Sequence, residues 1–210
     1  YYSVVRELGR DYVWKHFDIV VRPVDKRENY IKRCVGIPGD TIKITNGQLY
    51  VNGEKQPEIE DLQYNYTIRT NGTPINSKIL DDLNIALADR SFNPASGIYT
   101  LPLTTKAYDK IRMLKNVHSV LKQNNTNYTL MTNTIFPHTP NFRWTEDNFG
   151  PLWIPQKGAT VDLTLENLPI YERIIDLYED NDLSVKDSLI FINGNPASTY
   201  TFKMDYYWMM

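Results

Sequence analysis

A lysine inside a segment with strand character is the residue of this sequence best suited to chemistry. Lys32 lies in Asn-Tyr-Ile-Lys-Arg-Cys-Val-Gly-Ile-Pro-Gly-Asp, residues 29–40, which ends in a Pro-Gly turn. Because side chains alternate between the two faces of a strand, Tyr30, Lys32 and Cys34 should share one face. An aromatic ring and a thiol would partly desolvate the amine, which disfavours its charged form. A neutral amine can take the proton of a serine hydroxyl and activate it for attack on a peptide carbonyl.

The same lysine also has a simpler interpretation. A lysine on a half-buried strand can lay its methylene chain along apolar surface and keep its ammonium group in water. Serine–lysine pairs are, however, a recognised variant of the serine-protease triad, and they need no histidine. The residue types around Lys32 leave both interpretations open.

Two strings in this region resemble the lysine region of bacterial signal peptidase I. The first is Tyr-Ile-Lys-Arg-x-Val-Gly-x-Pro-Gly-Asp at residues 30–40, and the second is Gly-x-Leu-Tyr-Val-Asn-Gly at residues 47–53. Upstream, Phe-Asp-Ile-Val-Val at residues 17–21 resembles the preceding strand of that family. Residues 200–210 resemble the strand that leads into the family's Gly-Asp-Asn-Arg motif.

This resemblance implies a function and a set of site residues. It makes Lys32 the general base of a Ser/Lys dyad, with Tyr30 lining the site and Arg33 supporting it by pairing with an acidic group. Members of the family remove signal peptides from exported preproteins, and they cut after small residues without a cofactor or a metal. Their site lies on the periplasmic, or extracytoplasmic, side of the cytoplasmic membrane. The resemblance also implies that substrate binds there as an added strand.

Three features of the family are expected to lie outside this chain. They are the membrane anchor, the Ser-Met-x-Pro motif that carries the nucleophile, and the Gly-Asp-x-Arg motif, which would begin just after Met210. Ser3 is the only serine before Lys32, and it lacks the Met-x-Pro context. We therefore expect a fragment that is inactive by itself. The open sheet edges of such a fragment would make a homodimer possible.

Composition excludes several other classes of function. The 210 residues carry a net charge of −2 and show no basic stripe, so nucleic acid is not an expected partner. The single Cys34 excludes an internal disulfide and a zinc site of the cysteine type. The three histidines stand far apart, without the spacing of metal ligands, and no metal or cofactor is expected. The alternative function is a non-catalytic periplasmic module whose middle, rich in Tyr and Trp, binds a peptide or a glycan.

The hydrophobic pattern predicts mainly strands, together with three helices. The predicted extended segments and strands are residues 18–22, 30–35, 41–45, 48–51, 59–69, 128–132, 161–165, 188–192 and 199–208. The predicted helices are residues 77–89, with Asn76 or Ser77 as the cap, 105–122 and 169–179. Asn46-Gly47 and Asn52-Gly53 are strong turn signals, and Asn193-Gly194 follows a string that resembles the one before Asn52.

These elements predict an α+β fold that is mainly β. An antiparallel, β-rich core of the signal peptidase type would comprise residues 1–56 and 185–210. A large mixed α/β insertion, residues 57–184, would contain two or three helices and short strands. The C-terminal strand should return to join the sheet that contains residues 30–35. The carboxylates Asp176, Glu179, Asp180 and Asp182 are expected to form a solvated helix end.

Overall fold

The computed structural model describes residues 2–27, 31–57, 59, 61–127, 129 and 134–210. The chain divides into two units, residues 1–33 with Met210 and residues 34–209. The smaller unit begins with two short helices, α1 (Tyr2–Leu8) and α2 (Arg10–His16). A single 3-10 turn follows at Val24–Lys26.

The strand predicted at residues 18–22 is wrong. This segment has no regular secondary structure, and no described strand pairs with it. Val20 and Val21 are 76% and 69% exposed, so the apolar side chains that suggested a strand are not buried against a sheet. Apolar side chains stabilise a strand only where one face of the strand is covered and a neighbouring strand accepts its backbone hydrogen bonds.

The described part of the larger unit is built from short strands and three short α-helices. Its described strands, numbered along the chain, are β1 (Cys34–Gly36), β2 (Thr41–Thr45), β3 (Gln48–Val51), β4 (Glu54–Lys55), β5 (Tyr64–Thr70), β6 (Ser91–Asn93), β7 (Ile98–Leu103), β8 (Val117–Lys122), β9 (Phe149–Trp153), β10 (Thr160–Asp162), β11 (Leu183–Lys186), β12 (Leu189–Ile192), β13 (Asn195–Pro196), β14 (Thr199–Thr201) and β15 (Trp208–Met209). Its described helices are α3 (Ser77–Asp82), α4 (Thr105–Ile111) and α5 (Leu168–Arg173), together with a 3-10 turn at Leu87–Asp89 and a π-helical turn at Ile174–Tyr178.

The described strands form five small antiparallel sheets. Two sheets have four strands, in the orders β4-β3-β2-β9 and β6-β7-β5-β8, and one has three, in the order β11-β12-β13. The pairs β1–β15 and β10–β14 complete the set. The prediction of an α+β, mainly β fold is therefore confirmed.

Three apolar clusters of described residues hold the larger unit together. The first lies within residues 61–127, here called the middle lobe, and centres on Ile68, Leu101 and Ile111, which are fully buried. The second joins α5 to the strands near the C-terminus. The third packs β2 against β9 through Ile42 and Leu152.

The domain boundaries at residues 56/57 and 184/185 stay a prediction. Strand pairing links two segments of residues 57–184 to strands near the two chain ends. Phe149–Trp153 pairs with β2, and Thr160–Asp162 pairs with β14, so both strands join elements of the two chain ends. The apolar cluster of the middle lobe is formed entirely from residues of that lobe.

Two helix predictions need correction. The helix predicted at 77–89 ends at Asp82, after starting where expected with the Asn76 side chain accepting from Lys78 N at 2.9 Å. The helix predicted at 105–122 ends at Ile111, and its second half is strand β8. β8 has two valines and pairs with β5 along its length, so long-range pairing overrides the local helical period. The helix predicted at 169–179 is confirmed as α5 and its π-helical continuation.

Residues 40–56 and 181–197 form two β-meanders with the same internal spacing, here called the first meander and the second meander. Each contains a hairpin with a two-residue turn and then an Asn-Gly turn into a very short third strand. The hairpin turn is Asn46-Gly47 in the first meander and Asp187-Ser188 in the second, with all four residues at positive φ. Positive φ at both central residues is the geometry that matches the twist of the flanking strands.

The asparagines of the two Asn-Gly turns make the same contacts. In the first meander, Asn52 Oδ1 accepts from Thr41 N at 2.9 Å, and its amide nitrogen donates to Asp40 Oδ1 at 2.7 Å. In the second, Asn193 Oδ1 accepts from Asp182 N at 2.9 Å, and its amide nitrogen donates to Asn181 Oδ1 at 3.0 Å. The repeated Asn-Gly string therefore reflects a repeated three-dimensional unit.

The strand predicted at 199–208 is interrupted. Thr199–Thr201 pairs with β10, and Trp208–Met209 pairs with β1. Between them, the backbone N–H groups of Lys203 and Met204 donate to the carboxylate of Glu179 instead of to a neighbouring strand. The expected return of the C-terminal segment to residues 30–35 is confirmed for Trp208 and Met209. The strand predicted at 128–132 lies almost entirely outside the described residues.

Candidate functional site

Lys32 precedes the first strand and is exposed. Neither Lys32 nor Arg33 belongs to β1, which begins at Cys34. The desolvation of Lys32 expected from strand alternation is therefore not found, and Tyr30 lies outside the described residues. Within the smaller unit, Arg33 and Met210 exchange two backbone hydrogen bonds of 2.9 Å. The base role of Lys32 and the supporting roles of Tyr30 and Arg33 stay predictions.

Gly36 is required by close packing. It is buried at the end of β1, opposite Trp208. A Cβ atom at this position would overlap Ile154 Cδ1 and would lie 2.9 Å from Ile42 Cγ2. The glycine of the Val-Gly pair thus lets β1 approach the third apolar cluster, which is a structural role.

The Pro-Gly-Asp turn after β1 is fixed by its own aspartate. Asp40 Oδ2 accepts from Ile37 N at 3.0 Å, and Asp40 N donates to Ile37 O at 3.0 Å. Asp40 Oδ1 accepts from the Asn52 amide at 2.7 Å. The turn is also bracketed by Ile154, which accepts from Gly39 N at 2.9 Å and donates to Asp40 O at 2.8 Å.

This network explains why the two strings that flank the turn occur together. The first string ends at Asp40 and the second at Asn52 and Gly53, and the side chains of Asp40 and Asn52 bind each other directly. Asn52 also binds the peptide groups of Thr41 in both directions. The second string therefore holds the turn in place, and Asp40 caps the turn through Ile37 N.

A second polar cluster surrounds Glu179, which is only 5% exposed. Its carboxylate accepts hydrogen bonds from the hydroxyls of Tyr200 and Tyr206 and from the backbone N–H groups of Lys203 and Met204. Four donors of this kind satisfy both carboxylate oxygens. They also offset the cost of burying the carboxyl group, because its lost hydration is replaced by hydrogen bonds.

Asn181 extends this cluster to the second meander. Its amide nitrogen lies 2.8 Å from Ile175 O, 3.1 Å from Glu179 O and 3.0 Å from the Tyr200 hydroxyl. Its Oδ1 accepts from Asn193 and from Lys203 Nζ. Asn181 therefore links the end of the π-helical turn, the C-terminal segment and the Asn-Gly turn of the second meander.

Burial changes the titration of both tyrosines. Burial, followed by the hydrogen bond to Glu179, raises the pKa of Tyr200 to about 12. The pKa of Tyr206 is raised for the same reasons, burial being the larger cause. Both hydroxyls thus stay protonated and serve as donors well above neutral pH.

The Glu179 cluster corrects the predicted solvated helix end. Asp180 and Asp182 are exposed as expected, whereas Glu179 is buried. Sequence reasoning missed it because its partners lie more than twenty residues away along the chain. Since every carboxylate oxygen is already engaged by a donor, the cluster organises the fold and does not provide a free base.

Other candidate residues remain apart. Ser3 lies in α1, and the acidic and histidine side chains do not converge, since no described group of three or more His, Cys, Asp or Glu residues is placed to hold a metal ion. Cys34 is a free thiol. Two surface grooves of about 430 Å³ each lie in the middle lobe, and neither is lined by Lys32. Among the described residues, no helix combines the length and the apolar character needed to cross a membrane.

The family is decided by sequence comparison. The pattern of the family described as signal peptidase, peptidase S26, matches residues 4–129, which is more than half of the chain. The chain belongs to this family. The matched residues include Lys32, the Pro-Gly-Asp turn and the first meander, and they continue through the middle lobe.

Curated signal peptidases match shorter parts of the chain. The chain is similar to a signal peptidase I of Bacillus caldolyticus, with 50% identity over 44 residues, covering 21% of the chain and 24% of that protein. It is similar to a signal peptidase I of Bacillus amyloliquefaciens, with 34% identity over 88 residues, covering 39% and 46%. It is also similar to a signal peptidase IB of Staphylococcus aureus, with 46% identity over 41 residues, covering 20% and 22%.

The chain spans less than half the length of each of these relatives. No solved structure matches the chain.

Proposed function

We propose that this chain is part of a bacterial signal peptidase I, which removes signal peptides from exported preproteins by Ser/Lys-dyad peptide hydrolysis. The observation that carries the proposal is the family match across residues 4–129, which contains the full lysine string. The site would act at the extracytoplasmic face of the cytoplasmic membrane, and signal peptides would be its substrates. The expected membrane anchor is part of the same proposal.

In this proposal Lys32 is the general base, and other groups would have to approach it, because its side chain is exposed. A lysine acts as a base only when its amine loses its proton, and that requires surrounding groups to desolvate it. The antiparallel pair Arg33–Met210 suggests where one such group comes from. If the pairing continued by one residue in a longer chain, the residue after Met210 would lie opposite Lys32.

The first and second strings then have separate tasks. Lys32 would carry the chemistry and Arg33 would support it, while Gly36, Asp40 and Asn52 fix the turn that follows them. This division supports the proposal because all three structural residues make contacts that their side chains, or the lack of one, specifically allow. A catalytic lysine needs a rigid support of this kind, since positioning errors of an ångström are costly to the rate.

The test is replacement of Lys32 in a full-length protein that carries this chain. Lys32→Ala and Lys32→Arg should each lower the cleavage rate of a signal-peptide substrate by at least about a hundredfold, because arginine keeps its proton. Lys43→Arg, on the exposed face of β2, is the matched control and should leave the rate unchanged. Thermal unfolding of each variant checks the fold. A Lys32→Arg rate within about tenfold of the wild type would contradict the base assignment.

A second measurement concerns residues 1–210 alone. We expect the purified chain not to cleave a signal-peptide substrate, because a lysine base without its nucleophile has nothing to activate. Cleavage that is abolished by Ser3→Ala would instead make Ser3 the nucleophile.

A further inference from the structure

Four Asn-Gly pairs occur in this chain, at residues 46–47, 52–53, 71–72 and 193–194. An asparagine before a glycine is chemically labile, because no side chain screens the glycine nitrogen from the Cγ atom of the asparagine. Attack of that nitrogen on Cγ closes a five-membered ring and releases ammonia. The four pairs differ in how far the structure restrains the atoms that react.

Asn71 lies in an exposed bend directly after β5. Its side-chain Oδ1 accepts from Thr73 N at 3.0 Å, so the amide group is turned toward the part of the chain that contains Gly72 N. The same hydrogen bond polarises the side-chain carbonyl and would stabilise the negative charge that develops on its oxygen during attack. The amide nitrogen, which has to leave, donates to none of the residues that the structure describes.

Gly72 gives the attacking nitrogen space and contact with water. It is exposed, and a Cβ atom at this position would meet no atom within 4 Å. Its N–H donates to Thr70 Oγ1 at 3.3 Å, which is longer than the usual N–H···O bond and restrains the nitrogen only weakly. Water can therefore take the proton of Gly72 N as the ring closes.

The other three pairs are restrained at the atoms that would react. Gly47 N donates to Asp147 O at 2.9 Å, and three side chains crowd the glycine. Asn52 and Asn193 are held at both ends of the amide, because Oδ1 accepts a backbone N–H and the nitrogen donates to a side-chain oxygen. Both lie in two-residue turns that strand pairing closes. Ring closure needs the side chain and the next peptide to rotate toward each other, which these contacts oppose.

We propose that Asn71 is a site of spontaneous deamidation in the folded protein. Gly72 N forms a bond to Asn71 Cγ and gives its proton to water, while the bond from Cγ to Nδ2 breaks and the nitrogen takes up a proton and leaves as ammonia. Water then adds to one of the two carbonyl carbons of the resulting succinimide and opens the ring. Residue 71 becomes aspartate or isoaspartate. The reaction needs no oxidant or reductant, and it does not depend on the proposed peptidase activity.

Isoaspartate at residue 71 would change how the bend is held against the residue before β8. Asn71 N donates to Asn116 O at 2.9 Å, and the Asn116 amide donates to Thr73 O at 3.0 Å and to Pro74 O at 3.2 Å. Isoaspartate carries the backbone through its side chain and so lengthens it by a methylene group. Thr73 and Pro74 would then shift relative to Asn116, and the bend should lose protection from hydrogen exchange.

The test incubates the full chain at mildly alkaline pH and follows each Asn-Gly pair by peptide mass spectrometry, with isoaspartyl methyltransferase as the reagent for isoaspartate. In the folded chain, residues 71–72 should react at least about tenfold faster than each of the other three pairs, because only their reacting atoms can approach. In concentrated urea the four rates should agree within about threefold, because the restraints are lost and each asparagine precedes a glycine.

A variant confirms the site. Asn71→Gln should remove most of the ammonia that the folded chain releases, because a glutamine has to close a larger ring and reacts far more slowly. Asn141→Gln, at an exposed asparagine that precedes Phe142, is the matched control and should leave the release of ammonia unchanged. Thermal unfolding checks that both variants fold as the wild type does.

Three results would overturn the proposal. Equal rates at all four pairs in the folded chain would show that the hydrogen bonds of the other turns give no protection. A rate at Asn71 more than about tenfold lower in the folded chain than in urea would show that the bend itself protects the pair. Release of ammonia that persists in Asn71→Gln would assign the reaction to another residue.

Discussion

The first and second meanders fold alike, and they differ mainly in the residue that their Asn-Gly turn binds. In the first meander, Asn52 binds Asp40 in a partly exposed turn. In the second, Asn193 binds Asn181, which is only 8% exposed and lies against Glu179. The acid Asp40 is tolerated because water reaches its turn. The amide Asn181 occupies the equivalent place in the second meander, where the buried carboxylate of Glu179 already lies nearby. The same backbone unit thus serves a surface turn in one place and a core junction in the other.

The exchange of these two residues tests the comparison most severely. Asn181→Asp should lower the free energy of unfolding by about 3 kcal/mol or more, because it buries a second carboxylate beside Glu179 and removes a donor facing three acceptors. Urea unfolding at neutral pH measures the change. The neighbouring Asp182→Asn, at an exposed position, is the matched control and should change stability by no more than about 0.5 kcal/mol. A cost below about 1 kcal/mol for Asn181→Asp would show that the second meander does not depend on the amide.

The reverse exchange should cost less. Asp40→Asn leaves one oxygen for two donors, Ile37 N and the Asn52 amide, so one hydrogen bond is lost at a partly exposed site. We expect a decrease of about 1 kcal/mol in the free energy of unfolding.

A second substitution sharpens this prediction. Asn52→Asp in the Asp40→Asn background restores the match of donor and acceptor, because Asn at 40 can now donate to Asp at 52. The double variant should recover most of the lost stability, which urea unfolding measures. If the loss of stability in the double variant equals the sum of the losses in the two single variants, the two side chains do not interact.

Short-range signals predicted the hairpin of the first meander and both Asn-Gly turns. They missed strand β11 and the Asp187-Ser188 turn of the second meander, and long-range contacts decided what the sequence could not show. The hairpin at residues 41–51 and the Asn-Gly turns follow from adjacent residues that tolerate positive φ. The burial of Glu179 follows from Tyr200, Lys203 and Tyr206, whose approach depends on how the C-terminal segment packs. The strand at Val117–Lys122 follows from pairing with β5, which no local period reveals.

The candidate site shows the same division. The position of Lys32 in the chain and the Pro-Gly turn that follows it were visible in the sequence, because a motif and a turn are both local. The desolvation predicted for Lys32 was inferred from strand alternation, but the strand begins at Cys34. A strand's length is set by its partners, so the face and burial of a residue at its end are poorly determined by sequence.

Alkaline pH should affect the second meander through Tyr200, whose hydroxyl binds Asn181. Burial raises the pKa of Tyr200 to about 12 from an ordinary value of 10.0, so the folded state holds the proton after the unfolded state has released it. The contribution is complete below pH 10 and declines as the pH rises toward 12. Between pH 9 and pH 11 the wild type should lose about 1 kcal/mol through this group.

Tyr200→Phe isolates that contribution. Its stability at pH 8 should be lower than that of the wild type, because Glu179 and Asn181 lose a partner, but its decline between pH 9 and pH 11 should be shallower. Chemical unfolding at each pH measures the two slopes. Parallel slopes would show that Tyr200 is not responsible for the alkaline loss.

The smallest effect expected concerns the hairpin turn, where the second meander has a serine in place of a glycine. Ser188 has φ 63°, in the left-handed region, and the first meander has Gly47 at φ 77° in the equivalent place. A residue with a Cβ atom is strained there by about 1 kcal/mol, and glycine would relieve that strain. Part of the gain in stability is offset, because glycine has greater conformational freedom in the unfolded chain. Ser188→Gly should therefore raise the free energy of unfolding by about 0.5 kcal/mol, measured by urea unfolding. Ser184→Gly, within strand β11, is the matched control and should lower it by a similar amount, because glycine weakens a strand interior. A loss of stability in both variants would mean that the serine at 188 makes a contact worth more than the backbone strain, and that the two meanders are less alike at this turn than their dihedral angles indicate.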